Sequence, residues 1–281
     1  MRVVVTGAGG LLAAAVIREF SNDREIVALG RRELDVTDRA AVHDRITDLR
    51  PDVVINCAAY NNVDGAEDDA AAALRVNAFG VKSLTEAARR VDAVMMHYGT
   101  DFVFAGTAER PYREDDEPNP AGIYAASKLL GDYFALEYQR AYVLRVESLF
   151  GEPGANGTRQ GSVDTIIGRI RAGETVPVFV DRTVSPSYTT DVASATRELL
   201  ARQAPAGLYH CVNTGAATWE DIAVEAARLL DVAIEMQPIT LEGVALRAPR
   251  PKYCALSNAK LASVGIVMPR WQEALRRYLR G

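Results

Sequence analysis

Cysteine and histidine are too few and too scattered in this sequence to build a disulfide or metal framework. Cys57, Cys211 and Cys254 are an odd set without a CxxC pair, and His43, His97 and His210 lie equally far apart. The thiols are expected as small core residues, and no metal site is expected. Lysine is scarce as well, four of the 32 basic residues, and neither sign of charge gathers into a block. A net charge of −5 spread in this way leaves no basic footprint for nucleic acid or for an anionic membrane. No apolar run approaches the length of a membrane span. The chain enters a strand-like segment at once, with no charged leader and apolar signal core, so the cytoplasm is the expected compartment. Apolar surface is plentiful: 281 residues at 48% hydrophobic content support one large domain or two intimately joined ones.

Apolar runs and helix-period segments alternate through the first half. Strands are expected over 3–5, 26–29, 53–56, 94–97 and 142–145, with helices ending near 18 and spanning 40–49, 70–90 and 124–139. Short β-branched runs, apolar on consecutive positions, suit parallel strands covered on both faces. The pattern is that of a doubly wound α/β domain with a parallel sheet and right-handed crossovers. Beyond residue 150 the alternation breaks down: loops around 151–161, a helix over 162–172, strands over 176–180 and 208–212, helices over 190–204, 219–230 and 271–279. The division read from this change is a dinucleotide-binding domain of 1–147 plus about 176–204, and a smaller C-terminal substrate-binding lobe of 148–175 plus 205–281. The lobe is expected at the sheet edge where ligands of open α/β sheets sit.

The run Thr6-Gly7-Ala8-Gly9-Gly10-Leu11-Leu12-Ala13 follows the first strand and opens the first helix. Gly7 permits a tight turn out of the strand, and Gly10 lets backbone approach a pyrophosphate. The helix adds free N–H groups and the positive end of its dipole, so a dinucleotide held in Rossmann fashion is expected. The second strand ends in Gly30-Arg31-Arg32, without the carboxylate that would bond a ribose 2′-hydroxyl and repel a 2′-phosphate. Arginine offers that phosphate a bidentate partner, which favours NADP and leaves NAD open. Asp35 and Val36 follow, a carboxylate and an apolar edge for adenine.

Tyr124-Ala-Ala-Ser-Lys128 opens a helix-like stretch just after Pro118-Asn119-Pro120. A spacing of four puts both side chains on one face. A phenol with a pKa of about 10 is a poor proton donor or acceptor at neutral pH, and an ammonium one turn away favours its ionised form. A carbonyl reductase needs that pairing, and 11 Tyr with four Lys in 281 residues give only about 0.16 such pairs by chance. Thr100 ends the fourth strand, at the site-bearing edge, where its hydroxyl is placed to donate to a substrate carbonyl oxygen.

Together these pieces resemble the extended short-chain dehydrogenase/reductase family, and within it the dTDP-4-dehydrorhamnose reductases. The likeness runs nearly end to end, adding Leu34-Asp35-Val36-Thr37-Asp38, the stretch 51–60, Val63-Asp64, Val76-Asn77-Ala78, Thr100-Asp101, the stretch 207–215 running into Trp219, and Arg250-Pro251. The resemblance implies NADPH-dependent reduction of the 4-keto group of a dTDP-linked 6-deoxy sugar. It implies Tyr124 as proton donor, Lys128 on the nicotinamide ribose, and Thr100 on the substrate oxygen, with Asp101, Glu147 and Ser148 around the sugar. Gly9, Gly10, Leu11 and Leu12 then lie against the pyrophosphate, and Ala58, Ala59 and Tyr60 along the middle of the cofactor. Several positions depart from the family pattern: Ala13 for the third glycine, Gly99 for Ser, Phe102 for Tyr, and Val146-Glu147-Ser148 after Arg145 where the reductases carry Thr-Ser-Trp. The last change removes an aromatic surface and suits a different keto-sugar or a substrate that is not nucleotide-linked. A sugar-nucleotide epimerase or dehydratase shares the fold and the Tyr/Lys pair, although no Glu follows Asp101 as a dehydratase requires. A catalytically silent NADP-binding regulatory subunit and a homodimer also stay open.

Overall fold

Consecutive apolar residues form the inner strands of one parallel sheet because both faces of that sheet are covered. The computed structural model describes residues 1–154 and 161–280; the loop expected around 151–161 therefore lies partly outside the described residues. The first half runs β1 (Arg2–Thr6), α1 (Leu11–Ser21), β2 (Glu25–Leu29), α2 (Arg39–Leu49), β3 (Val53–Asn56), α3 (Val63–Asp68), α4 (Ala70–Leu74), a π-helical turn (Arg75–Gly80), α5 (Val81–Arg90), β4 (Val94–Thr100), α6 (Ile123–Leu136) and β5 (Ala141–Val146). The second half runs β6 (Leu149–Phe150), α7 (Ser162–Ala172), β7 (Val176–Phe179), β8 (Thr183–Val184), β9 (Ser187–Tyr188), α8 (Thr189–Ala201), β10 (Gly207–His210), β11 (Ala217–Thr218), α9 (Trp219–Leu230), β12 (Met236–Ile239), α10 (Ala259–Ser263) and α11 (Trp271–Arg280).

Six strands pair in the order β10-β5-β4-β3-β1-β2, every neighbouring pair parallel. Alternation of side chains along each strand sorts the apolar residues between two layers. Val3, Val5 and Ile55 pack with Leu12 and Val16 of α1 and Val192 of α8. Val4 and Val54 pack on the other face with Val42 and Ile46 of α2 and Leu84 of α5. The strand order reverses between β1 and β3, and the crevice at their carboxyl ends is where such sheets take ligands.

A separate core holds the smaller lobe: Ile166 and Ile170 of α7, Val176 and Val178 of β7, Ile222 of α9 and Trp271 of α11. Two segments sit elsewhere than the sequence suggests. The strand expected at 176–180 in the dinucleotide-binding domain is β7, which pairs with β12 in the lobe. The strand expected at 208–212 in the lobe is β10, sixth strand of the main sheet, paired with β5. Both are short apolar runs whose partners are fixed by tertiary pairing rather than by their own pattern. Helix α10 and the segment after it also return to the sheet, where Leu261, Ile266 and Met268 join the core around α1 and α8.

The helix expected over 70–90 is broken by the π-helical turn. Asn77 in that turn is fully buried; its amide accepts from Tyr60 N at 2.8 Å and donates to Tyr60 O and Ser127 Oγ, each at 3.0 Å. The widened turn thus carries a buried amide that ties the β3 exit to α6, and such turns occur often at functional sites.

Candidate active site

One long cleft of about 710 Å3 runs along the carboxyl edge of the sheet and under the lobe. Its first end is built by β1, β3 and α1. Gly7 has φ +67°, and a Cβ there would stand 2.6 Å from the amide nitrogen of Ala58, so the close passage of the two strand exits requires glycine. Thr6 Oγ donates to Asn56 Oδ1 at 2.7 Å, and the same oxygen accepts Ala58 N at 3.0 Å, fixing both exits. No side chain caps α1, which begins after Gly10, and Gly7, Gly9, Gly10, Leu11, Leu12 and Ala13 line the cleft. First-turn N–H groups without helical partners therefore open onto it.

Gly30, Arg31, Asp35 and Val36 line the cleft beside this turn, and Ala58, Ala59 and Tyr60 continue the wall. Arg32 is not among the lining residues. The Arg31 side chain is 90% exposed, with Nε 3.6 Å from Asp35 Oδ2, so it is free to swing onto an anion. Asp35 is occupied by Thr37, whose backbone N–H and hydroxyl reach Oδ1 at 2.9 and 2.8 Å. These bonds, with Arg31 adding to them, hold its carboxyl below the usual carboxylate range.

In the middle of the cleft α6 presents Tyr124 and, one turn on, Lys128. Lys128 is buried and its Nζ donates to Tyr98 O at 2.5 Å. Burial lowers its ammonium to about 8, against the opposing charge of Asp132, so it stays largely protonated at neutral pH. Asp132, a further turn along α6 and fully buried, pairs through Oδ2 with Arg145 Nε at 3.0 Å. His97 lies close by, accepting from or donating to Asn56 across 3.1 Å, and burial together with the Lys128 charge keeps its ring neutral. Phe102 meets the Tyr124 ring edge-on at 5.7 Å and carries the guanidinium carbons of Arg182 and Arg250 at 5.8 and 5.9 Å from its centroid. Arg250 is held in turn by Asp64 at 2.9 Å.

At the far end Thr100, Asp101, Glu147 and Ser148 line the wall with Arg182 and Trp219. Thr100, expected to donate into the cleft, instead donates to Asp101 Oδ1 at 3.0 Å. Glu147 is only 3% exposed; its Oε2 accepts Ser185 N at 2.7 Å. Ser148 takes φ +43°, a left-handed backbone that a serine adopts under constraint and that turns the chain from β5 into β6. Sequence reasoning missed Arg182, Asp132 and Asn77 as parts of this site. Arg182 sits in a turn whose Pro186 and hydroxyl residues suit a ligand-facing loop, a signal that marks the segment without singling out the arginine. Asp132 stands four residues past Lys128, a spacing that is a signal in itself. The three cysteines are free thiols: Cys211 and Cys254 are buried, while Cys57 is half-buried and lines the cleft.

Comparison with known proteins agrees with this geometry. The family model for the RmlD substrate binding domain matches residues 1–281. The chain is 39% identical to a dTDP-4-dehydrorhamnose reductase of Streptomyces griseus, over 98% of this chain and 91% of that protein. It is 37% identical to a probable dTDP-4,6-dihydroxy-2-methyloxan-3-one 4-ketoreductase of Streptomyces antibioticus, over 98% and 94% of the two. Among solved structures, dTDP-4-dehydrorhamnose reductase from Bacillus anthracis in complex with NADP superposes with a TM-score of 0.93 at 30% identity, over 99% of this chain and 98% of that one. UDP-glucose 4-epimerase of Thermus thermophilus in complex with NAD shares the fold at a TM-score of 0.84 and 22% identity, over 100% and 98%. A parallel sheet with its order reversed at an uncapped glycine turn, a Tyr/Lys helix face on the same cleft and this end-to-end match place the chain in the RmlD substrate binding domain family, on the extended short-chain dehydrogenase/reductase fold.

Proposed function

We propose that this chain is an NADPH-dependent reductase of a nucleotide-linked 4-keto-6-deoxy sugar, with Tyr124 as the proton donor. One observation carries the reading: the Tyr124/Lys128 face of α6 opens on the same cleft as the uncapped N-terminus of α1. The residues present suit a pyridine dinucleotide. The α1 N–H groups and the glycine turn would hold the pyrophosphate, Val36 and Leu34 the adenine, and Lys128 the nicotinamide ribose. Bound there, the nicotinamide supplies the hydride. The exposed Arg31 is free to meet a 2′-phosphate, in a turn it shares with the carboxylates of Asp35, 3.6 Å from Arg31 Nε, and Glu33, whose Oε2 lies 2.8 Å from where a Gly30 Cβ would stand.

Tyr124 donates its phenolic proton to the carbonyl oxygen as that oxygen gains charge. The buried Lys128 ammonium stabilises the phenolate left behind, worth more in this dry setting than in water. Phe102, in contact with two guanidinium groups, sets its ring edge-on to Tyr124 and limits the tilt of that ring. Ser148 supplies a polar contact to the sugar where the family pattern has an aromatic residue, and Trp219 lines the same end of the cleft. The relative named as a 4-ketoreductase of a different deoxy sugar is consistent with a family whose sugar preference varies. No helix among the described residues is long and apolar enough to cross a membrane.

The test is NADPH consumption, followed by its absorbance, with a panel of dTDP- and UDP-linked 4-keto-6-deoxy sugars. Tyr124→Phe is expected to lower turnover by about 10²- to 10⁴-fold while leaving NADPH affinity within about twofold. Unchanged turnover in that variant, or no turnover with any keto-sugar, refutes the reading.

A further inference from the structure

Two carboxyl groups face each other in the far wall of the cleft with too little positive charge between them. An oxygen of Asp101 and one of Glu147 lie within 4.8 Å of each other and of Cys254 Sγ. Both residues are buried, at 4% and 3% exposure. Asp101 Oδ2 and Glu147 Oε1 have no hydrogen-bond partner among the described residues, while their other oxygens take Thr100 Oγ and Ser185 N. The nearby cation is Arg182, itself engaged with Pro251 O at 3.2 Å and Cys254 Sγ at 3.6 Å. One guanidinium offsets one carboxylate, and a second buried anion beside it would be uncompensated.

We infer that Asp101 and Glu147 hold one proton between them, and that this proton sets which way the Thr100 hydroxyl points. Thr100 has one O–H and, with Asp101 ionised, spends it on Asp101 Oδ1. Phe102 N approaches the same Thr100 oxygen at 3.4 Å, so that oxygen is already an acceptor. When the shared proton rests on Asp101, its neutral carboxyl group is a weaker acceptor and Thr100 turns its own proton into the cleft, toward a substrate carbonyl oxygen. Nothing is consumed: the proton passes between the two carboxyl groups, whose unpartnered oxygens are Asp101 Oδ2 and Glu147 Oε1. Glu147 is thus a positioning residue that acts through Asp101 and Thr100. The inference rests on the carbonyl-reductase reading above.

The surroundings support it. Burial pushes Asp101 up to about 6, and burial together with the Asp101 charge pushes Glu147 up well beyond the usual carboxylate range. The charged and titratable groups facing the pair are Arg182, Cys254 and Tyr253 from the lobe side, with Tyr124 and Lys128 across the cleft. Burial raises Cys254 and Tyr253, so both are neutral through the working range.

Glu147→Gln removes the partner that forces the proton to be shared. Asp101 then ionises alone at lower pH and captures the Thr100 proton. The pair's charge near neutrality is minus one before and after, so Lys128, which titrates at about 8, is left in place. The pH profile of kcat for keto-sugar reduction is expected to lose its alkaline plateau about one to two pH units earlier in Glu147→Gln than in the wild type, with NADPH affinity unchanged. Thr100→Val is expected to remove this pair-dependent step and leave only the loss due to Lys128. Infrared difference spectroscopy on the protein without substrate provides an independent readout. The C=O stretch of a protonated carboxyl group is expected in the wild type at neutral pH and absent from both Glu147→Gln and the volume-matched Glu147→Met. Superimposable profiles, or a wild-type-minus-variant spectrum without that band, overturn the inference. A band lost as expected in a protein that reduces no keto-sugar upholds the shared proton and refutes the enzymatic reading instead.

Discussion

Asp132→Asn separates two jobs that one buried carboxylate performs. Asp132 is fully buried, pairs with Arg145 at 3.0 Å, and its other oxygen is 3.7 Å from the neutral ring of His97. Asparagine keeps the shape and removes the charge, leaving Arg145 buried at 3% exposure without an anion. Breaking such a pair from one side costs about 3–5 kcal/mol, a fall in Tm on the order of 10 °C for a chain of this size. The second effect is on Lys128. Burial already lowers it to about 8, and Asp132 is the main group working the other way. Below that pH the ammonium is present and, in the proposed reaction, stabilises the Tyr124 phenolate; above it the ammonium is lost. Without Asp132 that loss moves to lower pH, so the alkaline limb of kcat shifts acid-ward. Asp132→Asn with Arg145→Met removes both halves of the ion pair and is expected to recover most of the stability while keeping the shifted limb. Differential scanning calorimetry and kcat profiles between pH 6 and about 9 read the two effects separately. A limb that does not move in the single variant refutes the tuning role, and a loss of less than about 1 kcal/mol refutes the buried-charge argument.

Arg31→Glu is expected to weaken NADPH about 10- to 100-fold relative to NADH, measured by fluorescence titration of both; equal losses remove the 2′-phosphate argument. Gly99→Ala places a Cβ 2.7 Å from Asp132 Oδ1 and 2.9 Å from Arg145 Cγ, and should destabilise by about 2–3 kcal/mol in urea unfolding. An unchanged midpoint would mean that the buried pair yields easily. Thr218 and Asp221 form a capping box at the start of α9, with Asp221 N donating to Thr218 Oγ at 3.0 Å and Asp221 Oδ2 accepting Thr218 N at 2.8 Å. Thr218→Ala should cost about 1 kcal/mol, seen as faster amide exchange in the lobe with the cofactor cleft unaffected.

Elements that carry their own local signals are legible in the amino-acid order. Helix α9 spans Trp219–Leu230, the bounds expected from the sequence, because Thr218 and Asp221 mark its start and an apolar stripe carries it onward. The inner strands are legible because residues such as Val3, Val4 and Val5 are apolar on consecutive positions, which only a doubly covered sheet accommodates. Strands β7 and β10 carry no comparable label. Each has four residues, and what decides its place is the partner it finds, β12 for one and β5 for the other. The break in the helix around Asn77 is invisible in the sequence for a related reason: the π-helical turn exists to bring one amide to Tyr60 and Ser127, partners about 17 and 50 positions away.

The candidate site divides along the same line between local motif and distant partner. The glycine turn and the Tyr124/Lys128 pair are readable because each is a short spacing whose chemistry is complete in itself. Arg31 and Arg32 look equivalent as neighbours, yet only Arg31 reaches the cleft, since adjacent residues of a turn point in different directions. The departures from the family pattern are visible one at a time, and the fold shows what joins them. Gly99 leaves the space that Asp132 and Arg145 fill, and Asp132 supports Lys128. Phe102 takes two guanidinium groups on its ring and sets its edge against Tyr124. Glu147 faces Asp101, which holds the Thr100 proton. Each of the three changes therefore bears on a different member of the Thr100, Tyr124 and Lys128 set through a single intervening residue or a direct contact. Substitutions coupled in this way are expected to be non-additive, so exchanging one of them alone for the family residue perturbs the site more than the size of the change suggests.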